Sequence, residues 1–146
     1  MTTELTLTED PPDPAAQDEF LLAAGQPPRD AAPRGCRGVA ALWARDRDLL
    51  VGQGVVLEVR RHALDRDRLV PANWDHRATI GVIELLCVRP EYRWLGLEER
   101  LMRHLARLFR VRVPCRDALI YVGEARVPML LSTLTALPHE VDGRLR

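Results

Sequence analysis

The stretch VRPEYRWLGLEERLM, residues 88–102, holds residue types at a spacing that could do chemistry. An apolar strand ends at Val88, Pro90 and Tyr92 follow, and Gly96 stands where a helix begins. A helix N-terminus presents unpaired backbone N–H groups and partial positive charge, which together suit a phosphate. Small residues there let the backbone come close, and Arg93 could add a charge-assisted contact. The same residues would also serve as a plain strand-to-helix turn. Just upstream, Glu84 is the only charge in the apolar run TIGVIELLCV, residues 79–88. Burial there would raise its pKa toward neutrality, which suits a general base. The alternative is a structural carboxylate paired with one of the many arginines.

Other reactive side chains carry less. Cys87 lies in the same strand and reads as a small buried hydrophobe. His62, His76, His104 and His139 lack metal-ligand spacing, so no metal site is expected. Ser132 is the only serine and has no G-x-S-x-G context, which disfavours a serine hydrolase. The segment PANWDHR, residues 71–77, reads either as an acceptor contact or as a solvated turn over Trp74.

The elements that must position these residues follow from pattern. ELTLTED (4–10) alternates as a strand would. Residues 15–25 suggest a short helix with Asp13 as cap and Gly25 as its end. A proline- and glycine-rich loop spans 26–38. Strands at 39–45 and 49–60 are joined by the turn DRD, and Gly52 and Gly54 mark a bulge. A polar loop spans 61–77, and 79–88 is apolar on both faces, as a central strand is. The next helix is the clearest periodic signal. Leu97, Leu101, Met102, Leu105, Leu108 and Phe109 share one face; Glu98, Glu99, Arg100, Arg103, Arg107 and Arg110 share the other. Its acids come first and its arginines last, in line with the helix dipole. ALIYV (118–122) is a buried strand, with Tyr121 in the core. VPMLLSTLTAL (127–137) reads as a helix with Pro128 in its first turn, and HEVDGRLR leaves room for a short last strand. The order is β, α, β, β, β, α, β, α, β.

The whole-chain numbers agree with one domain, residues 1–146, at 47% hydrophobic and 29% charged residues. The formal net charge is zero, so no basic field favours nucleic acid or an anionic membrane. All 21 basic residues are arginine, which excludes lysine-nucleophile and Schiff-base chemistry. No long apolar run or signal peptide is seen, and Cys36, Cys87 and Cys115 are too widely spaced for a disulfide framework. A reduced cytoplasm is the expected setting.

The element order, together with LLCVRPEYRWLGLEERLMRHL, resembles the GNAT superfamily of acyl-CoA-dependent N-acetyltransferases. In that family a central strand ends in a V-x-P-x-Y/F-R/Q run, and a turn of pattern R/Q-x-x-G-x-G/A opens a long helix. Val88, Pro90, Tyr92, Arg93 and Gly96 match; Glu98 stands at the last position and does not. The resemblance implies an α/β fold with a mixed, mostly antiparallel central sheet flanked by helices. It implies that the amides of Trp94, Leu95, Gly96, Leu97, Glu98 and Glu99, with Arg93, hold the pyrophosphate of acetyl-CoA or another acyl-CoA. The thioester would lie near Leu86–Val88, in a gap between the strand ending at Val88 and the strand 118–122. Glu84 would be the base that deprotonates an amine acceptor, a small molecule or a peptide.

Two departures keep a second reading open. Glu98 favours the helix dipole but repels a pyrophosphate. At about 6 Å and an effective dielectric of 20 to 80 that repulsion is roughly 1–3 kcal/mol per charge pair. The family's N-x-x-A-x-x-L-Y-x-x-x-G-F run, whose Tyr protonates the leaving thiolate, falls on RVPMLLSTLTALP, with Arg126 at the Asn, Thr133 at the Tyr and Leu137-Pro138 at the Gly-Phe. The second reading is therefore a GNAT-fold binding or regulatory module, or an assembly subunit. The short last strand would leave an edge for a homodimer or hetero-complex.

Overall fold

A computed structural model describes residues 4–25, 35–60, 69–70, 78–122 and 127–136. Six strands form one sheet in chain order: β1 (Leu5–Thr8), β2 (Cys36–Asp46), β3 (Leu49–Val59), β4 (Thr79–Val88), β5 (Ala118–Val122) and β6 (Val127–Leu130). Every neighbouring pair is antiparallel except β4 and β5, which run parallel. A parallel pair needs a crossover, and the helix α2 (Leu97–Arg112) supplies it. Helix α1 (Pro14–Ala24) lies between β1 and β2 in sequence, and the short α3 (Leu131–Ala136) follows β6.

The caps expected for α1 are present. Asp13 accepts from the Ala16 amide at 2.8 Å, and Gly25 ends the helix in the left-handed region at φ 77. The DRD turn is also as expected, with Arg47 in the left-handed region at φ 57. Helix α2 buries Leu97, Leu101, Leu105, Ala106 and Phe109 against the sheet, while Met102 and Leu108 pack at its flank. These side chains join Val51, Val56, Ile83, Val88, Ile120 and Leu131 in the main core. On the opposite face two smaller clusters form. Phe20, Leu21 and Ala24 of α1 cover Leu50 and Cys87, and Val59, Ile80, Val82, Leu119 and Tyr121 form the other.

One local expectation is corrected. The helix expected over 127–137 begins only at Leu131, and Val127–Leu130 instead pair antiparallel with Leu119–Val122. A short apolar run does not distinguish strand from helix by period. Among the described residues β6 is the last strand in the sheet's order, an edge position at which Pro128 is tolerated. The helix then starts where Asp117 accepts from the Ser132 amide at 2.9 Å and from its hydroxyl at 2.6 Å. The bulge expected at the β3 glycines is present: Ala44 faces Gly52 and Arg45 faces Leu50, so Val51 is an extra residue in β3 beside Gly52. A second irregularity lies across Gly54. Gln53 faces Cys87 and Val55 faces Glu84, so Leu85 and Leu86 stand opposite the single Gly54. The extra residue is in β4, and Leu85 carries the strain at φ 53. Gly54 is needed for close approach: a Cβ there would stand 2.8 Å from Leu105 Cδ1. The loop segment 71–77, His62, His76, His139 and the expected last strand lie outside the described residues.

Candidate functional site: a fork between β4 and β5

Strand β4 pairs with β5 only from Thr79–Ala118 to Ile83–Val122. Beyond Ile83, the edge of β4 that faced β5 has no strand partner among the described residues, and the sheet opens into a fork. The bulge at Leu85 lies at its base. Strand β4 stays joined to β3 through Gly52–Val88, and the Arg89 amide adds a bond to the Val51 carbonyl at 2.8 Å. One side of the fork is therefore a strand held by β3, with no strand on its other edge among the described residues.

At the open end the chain forms a 3₁₀ turn, Pro90–Leu95, and then α2. Gly96 joins them at φ 67, a left-handed conformation that disfavours other residues. Its amide bonds the Arg93 carbonyl at 3.3 Å, and its carbonyl accepts from the Arg100 amide at 3.1 Å. No side chain caps α2. Helix geometry leaves the Leu97, Glu98 and Glu99 amides without intrahelical acceptors. The space before Gly96 is clear, with no heavy atom within 4 Å of a Cβ built there.

The sequence-derived site residues are brought together here, in differing roles. Leu86 packs against the main core and Val88 is wholly buried in it, so only their backbones can face a ligand. Leu97 is likewise a core side chain. Arg93, Gly96 and Glu98 are exposed, Leu95 is half-buried, and Trp94 is 77% exposed. Glu84 is half-buried, not enclosed, and stands at the first β4 position past the last β4–β5 pair. Alternation puts it on the face of Ile80 and Val82, away from α2.

Electrostatics tie Cys87 to the mouth of the fork. Burial pushes its thiol pKa up to about 12; the charge of Glu98 adds to the rise, and that of Arg93 opposes it. Both charges therefore act on the strand end beside which a ligand would lie. Cys87 itself is no nucleophile in this state. Tyr121 is buried mid-strand, and burial raises its phenol pKa further, so it does not replace the missing acid. Thr133 is exposed on α3; Arg126, Leu137 and Pro138 lie outside the described residues. No group of His, Cys, Asp and Glu side chains among the described residues could hold a metal.

Two residues that hold the site give no local sign in sequence. Tyr92 donates to Asp46 at 2.6 Å, which fixes the turn to the β2–β3 hairpin. That bond lowers the Asp46 pKa and raises that of Tyr92. Arg89 is only 8% exposed and donates to the Leu50 carbonyl at 2.7 Å and to Glu19 on α1 at 3.2 and 2.5 Å. A buried charged residue needs such a partner, but no pattern around Arg89 points to position 19.

No family model matches the chain, and no curated protein matches it. A solved structure does: a protein of unknown function from meticillin-resistant Staphylococcus aureus, described as a probable acetyltransferase. The two are 18% identical, with a TM-score of 0.52, over 82% of this chain and 77% of that one. The chain shares its fold with that protein. At this identity the likeness concerns the fold: a mixed, mostly antiparallel sheet flanked by helices. In the described part of this fold no helix is long and apolar enough to cross a membrane.

Proposed function

We propose that the fork binds the pantetheine arm of an acyl-CoA and that the chain transfers the acyl group to an amine. One observation carries this reading. The sheet parts after Ile83, directly beside a helix start with a left-handed glycine and no side-chain cap. The unpaired edge of β4 offers backbone groups to an amide-bearing arm, and the first-turn amides of α2, with Arg93, offer donors to phosphates. Coenzyme A would supply an activated acyl group and a thiolate that can leave.

This chain's own residues would do the rest. Glu84, directly or through a water, would take the proton from the amine as its nitrogen attacks the carbonyl carbon. A C–N bond forms, the C–S bond breaks, and the electron pair departs with sulfur. A backbone amide near Leu86–Val88 would donate to the carbonyl oxygen as its charge develops. With no phenol at Thr133, the thiolate would take its proton from solvent. Glu98 supports a second reading, a binding or regulatory module of the same fold, because it puts a carboxylate in the first turn of α2, where the phosphates would sit.

Calorimetric titration with coenzyme A tests the proposal. Saturable binding is expected, and no heat at millimolar ligand would leave the module. Glu84→Gln is near-isosteric and should leave the fold intact. With an acceptor amine in hand it should lower turnover by about 10²–10⁴. Unchanged turnover would demote Glu84 to a structural carboxylate.

A further inference from the structure

We propose that Arg89 is a positioning residue that latches α1 over Cys87, closing one side of the fork's α1-facing floor and leaving the Glu84 side open. As a control on where an acceptor enters, the latch rests on the acyltransferase reading; as a contact it stands on its own geometry.

Arg89 is the residue at which β4 becomes the 3₁₀ turn, so it belongs to the wall of the fork. Its Nε is fixed by the Leu50 carbonyl at 2.7 Å, which leaves the two terminal nitrogens aimed at α1. They hold Glu19 in a two-pronged pair at 3.2 and 2.5 Å, and the guanidinium carbon lies 5.8 Å from the centre of the Phe20 ring. The two partners differ in exposure: the Arg89 side chain is 9% exposed and that of Glu19 is 63% exposed. Swinging α1 away would leave a nearly buried cation unpaired, a costly state.

The rest of the α1 attachment is slight. Phe20, Leu21 and Ala24 cover Leu50 and Cys87, with Trp43 at their border, and Gln17 donates to the buried Gln53 at 3.1 Å. A helix of 11 residues has little stability by itself, so α1 persists only while docked. Cys87 therefore reports the latch. It is sealed when α1 is docked and reachable when α1 opens. Glu84, farther along the same face, is half-exposed with the latch closed.

The test uses a full chain carrying Cys36→Ser and Cys115→Ser, which leaves Cys87 as its single thiol. The probe is N-ethylmaleimide, with adduct formation followed by intact mass and global stability by urea unfolding. Slow modification is expected in this parent. Glu19→Gln removes the exposed half of the pair and should speed modification by about tenfold; global unfolding also breaks the pair, so the urea midpoint should fall by no more than that factor implies. Arg89→Lys keeps the charge but cannot make the fork-shaped pair, and should behave similarly. Glu19→Asp keeps a carboxylate and should fall between the two. Equal modification rates in parent and Glu19→Gln would overturn the latch, as would the same rate rise in Phe109→Leu, which lowers the urea midpoint from the α2 face without touching the pair. No coenzyme A is needed, so a failure of the acyltransferase reading cannot be mistaken for a failure of the latch.

Discussion

The two faces of the sheet are built by different means. On the α2 face one continuous apolar cluster runs from Leu97 to Phe109 and on to Ile120 and Leu134. On the α1 face two small clusters stand apart, and polar bonds fill the interval: Gln17 to Gln53, and Arg89 to Glu19. Apolar burial is non-directional and scales with area, so the α2 face holds the sheet together without choosing a geometry. Hydrogen bonds and ion pairs choose a geometry but add little net stability. The face on which Glu84 lies is the one placed by bonds that can break singly.

The largest expected difference tests that contrast. Phe109 and Phe20 are both wholly buried aromatics on opposite faces. Phe109→Ala should cost about 3–5 kcal/mol of global stability, read as a lower urea midpoint. Phe20→Ala should instead release α1 alone, seen as fast amide exchange over residues 17–24 with a much smaller shift in midpoint. Equal midpoint shifts would mean that the two faces form a single cooperative unit.

A smaller effect is expected at the mouth of the fork. Glu98→Gly restores the glycine or alanine of the family pattern and removes roughly 1–3 kcal/mol of repulsion. Affinity for coenzyme A should rise about tenfold or more in titration, while the helix loses up to about 1 kcal/mol in thermal melting. A lower melting point with no gain in affinity would leave the turn as a turn and favour the binding module.

The smallest effect is at the far end of β5. Burial opposes ionisation of Asp117, but hydrogen bonds from the Ser132 hydroxyl and from the Ser132 and Ala118 amides outweigh it and hold the carboxyl below its usual pKa. A carboxyl depressed by folding stabilises the fold above its unfolded value, near 3.9. That contribution is lost as pH falls through the lower folded value. Ser132→Ala should cost about 1 kcal/mol at neutral pH. It should also flatten the fall in stability below about pH 4, as followed by urea midpoints across pH. An unchanged acid slope would mean that other carboxylates set it.

Much of the frame was legible because it rests on local periodicity. The stripe of α2, the Asp13 and Gly25 caps of α1, the β2–β3 hairpin and the doubly apolar β4 each follow from residues close in sequence. The turn at 90–96 was legible as a motif. Its supports were not, since Tyr92 reaches Asp46 and Arg89 reaches Glu19 across long separations that leave no local signature. Gly52 and Gly54 suggested a bulge, and one exists. Val51 is the extra residue beside Gly52, while across Gly54 it is a β4 leucine; both glycines also make room for α2. Strand β6 was missed because four apolar residues with a proline fit the start of a helix as well as an edge strand. Its pairing with β5 decides between them.

The Tyr92–Asp46 bond also bears on the order in which the chain assembles. Helix α2 can begin to form from contacts within its own 16 residues. The turn before it is tied to a hairpin corner 46 residues earlier in the chain. Closing a loop of that length comes late, after local structure has formed. The turn should therefore be unformed in the folding transition state. Tyr92→Phe is then expected to leave the folding rate almost unchanged and to speed unfolding, as stopped-flow traces across denaturant would show. A slower folding limb in that variant would place the turn in the nucleus instead. The mouth of the fork would thus take shape only after the helix that follows it.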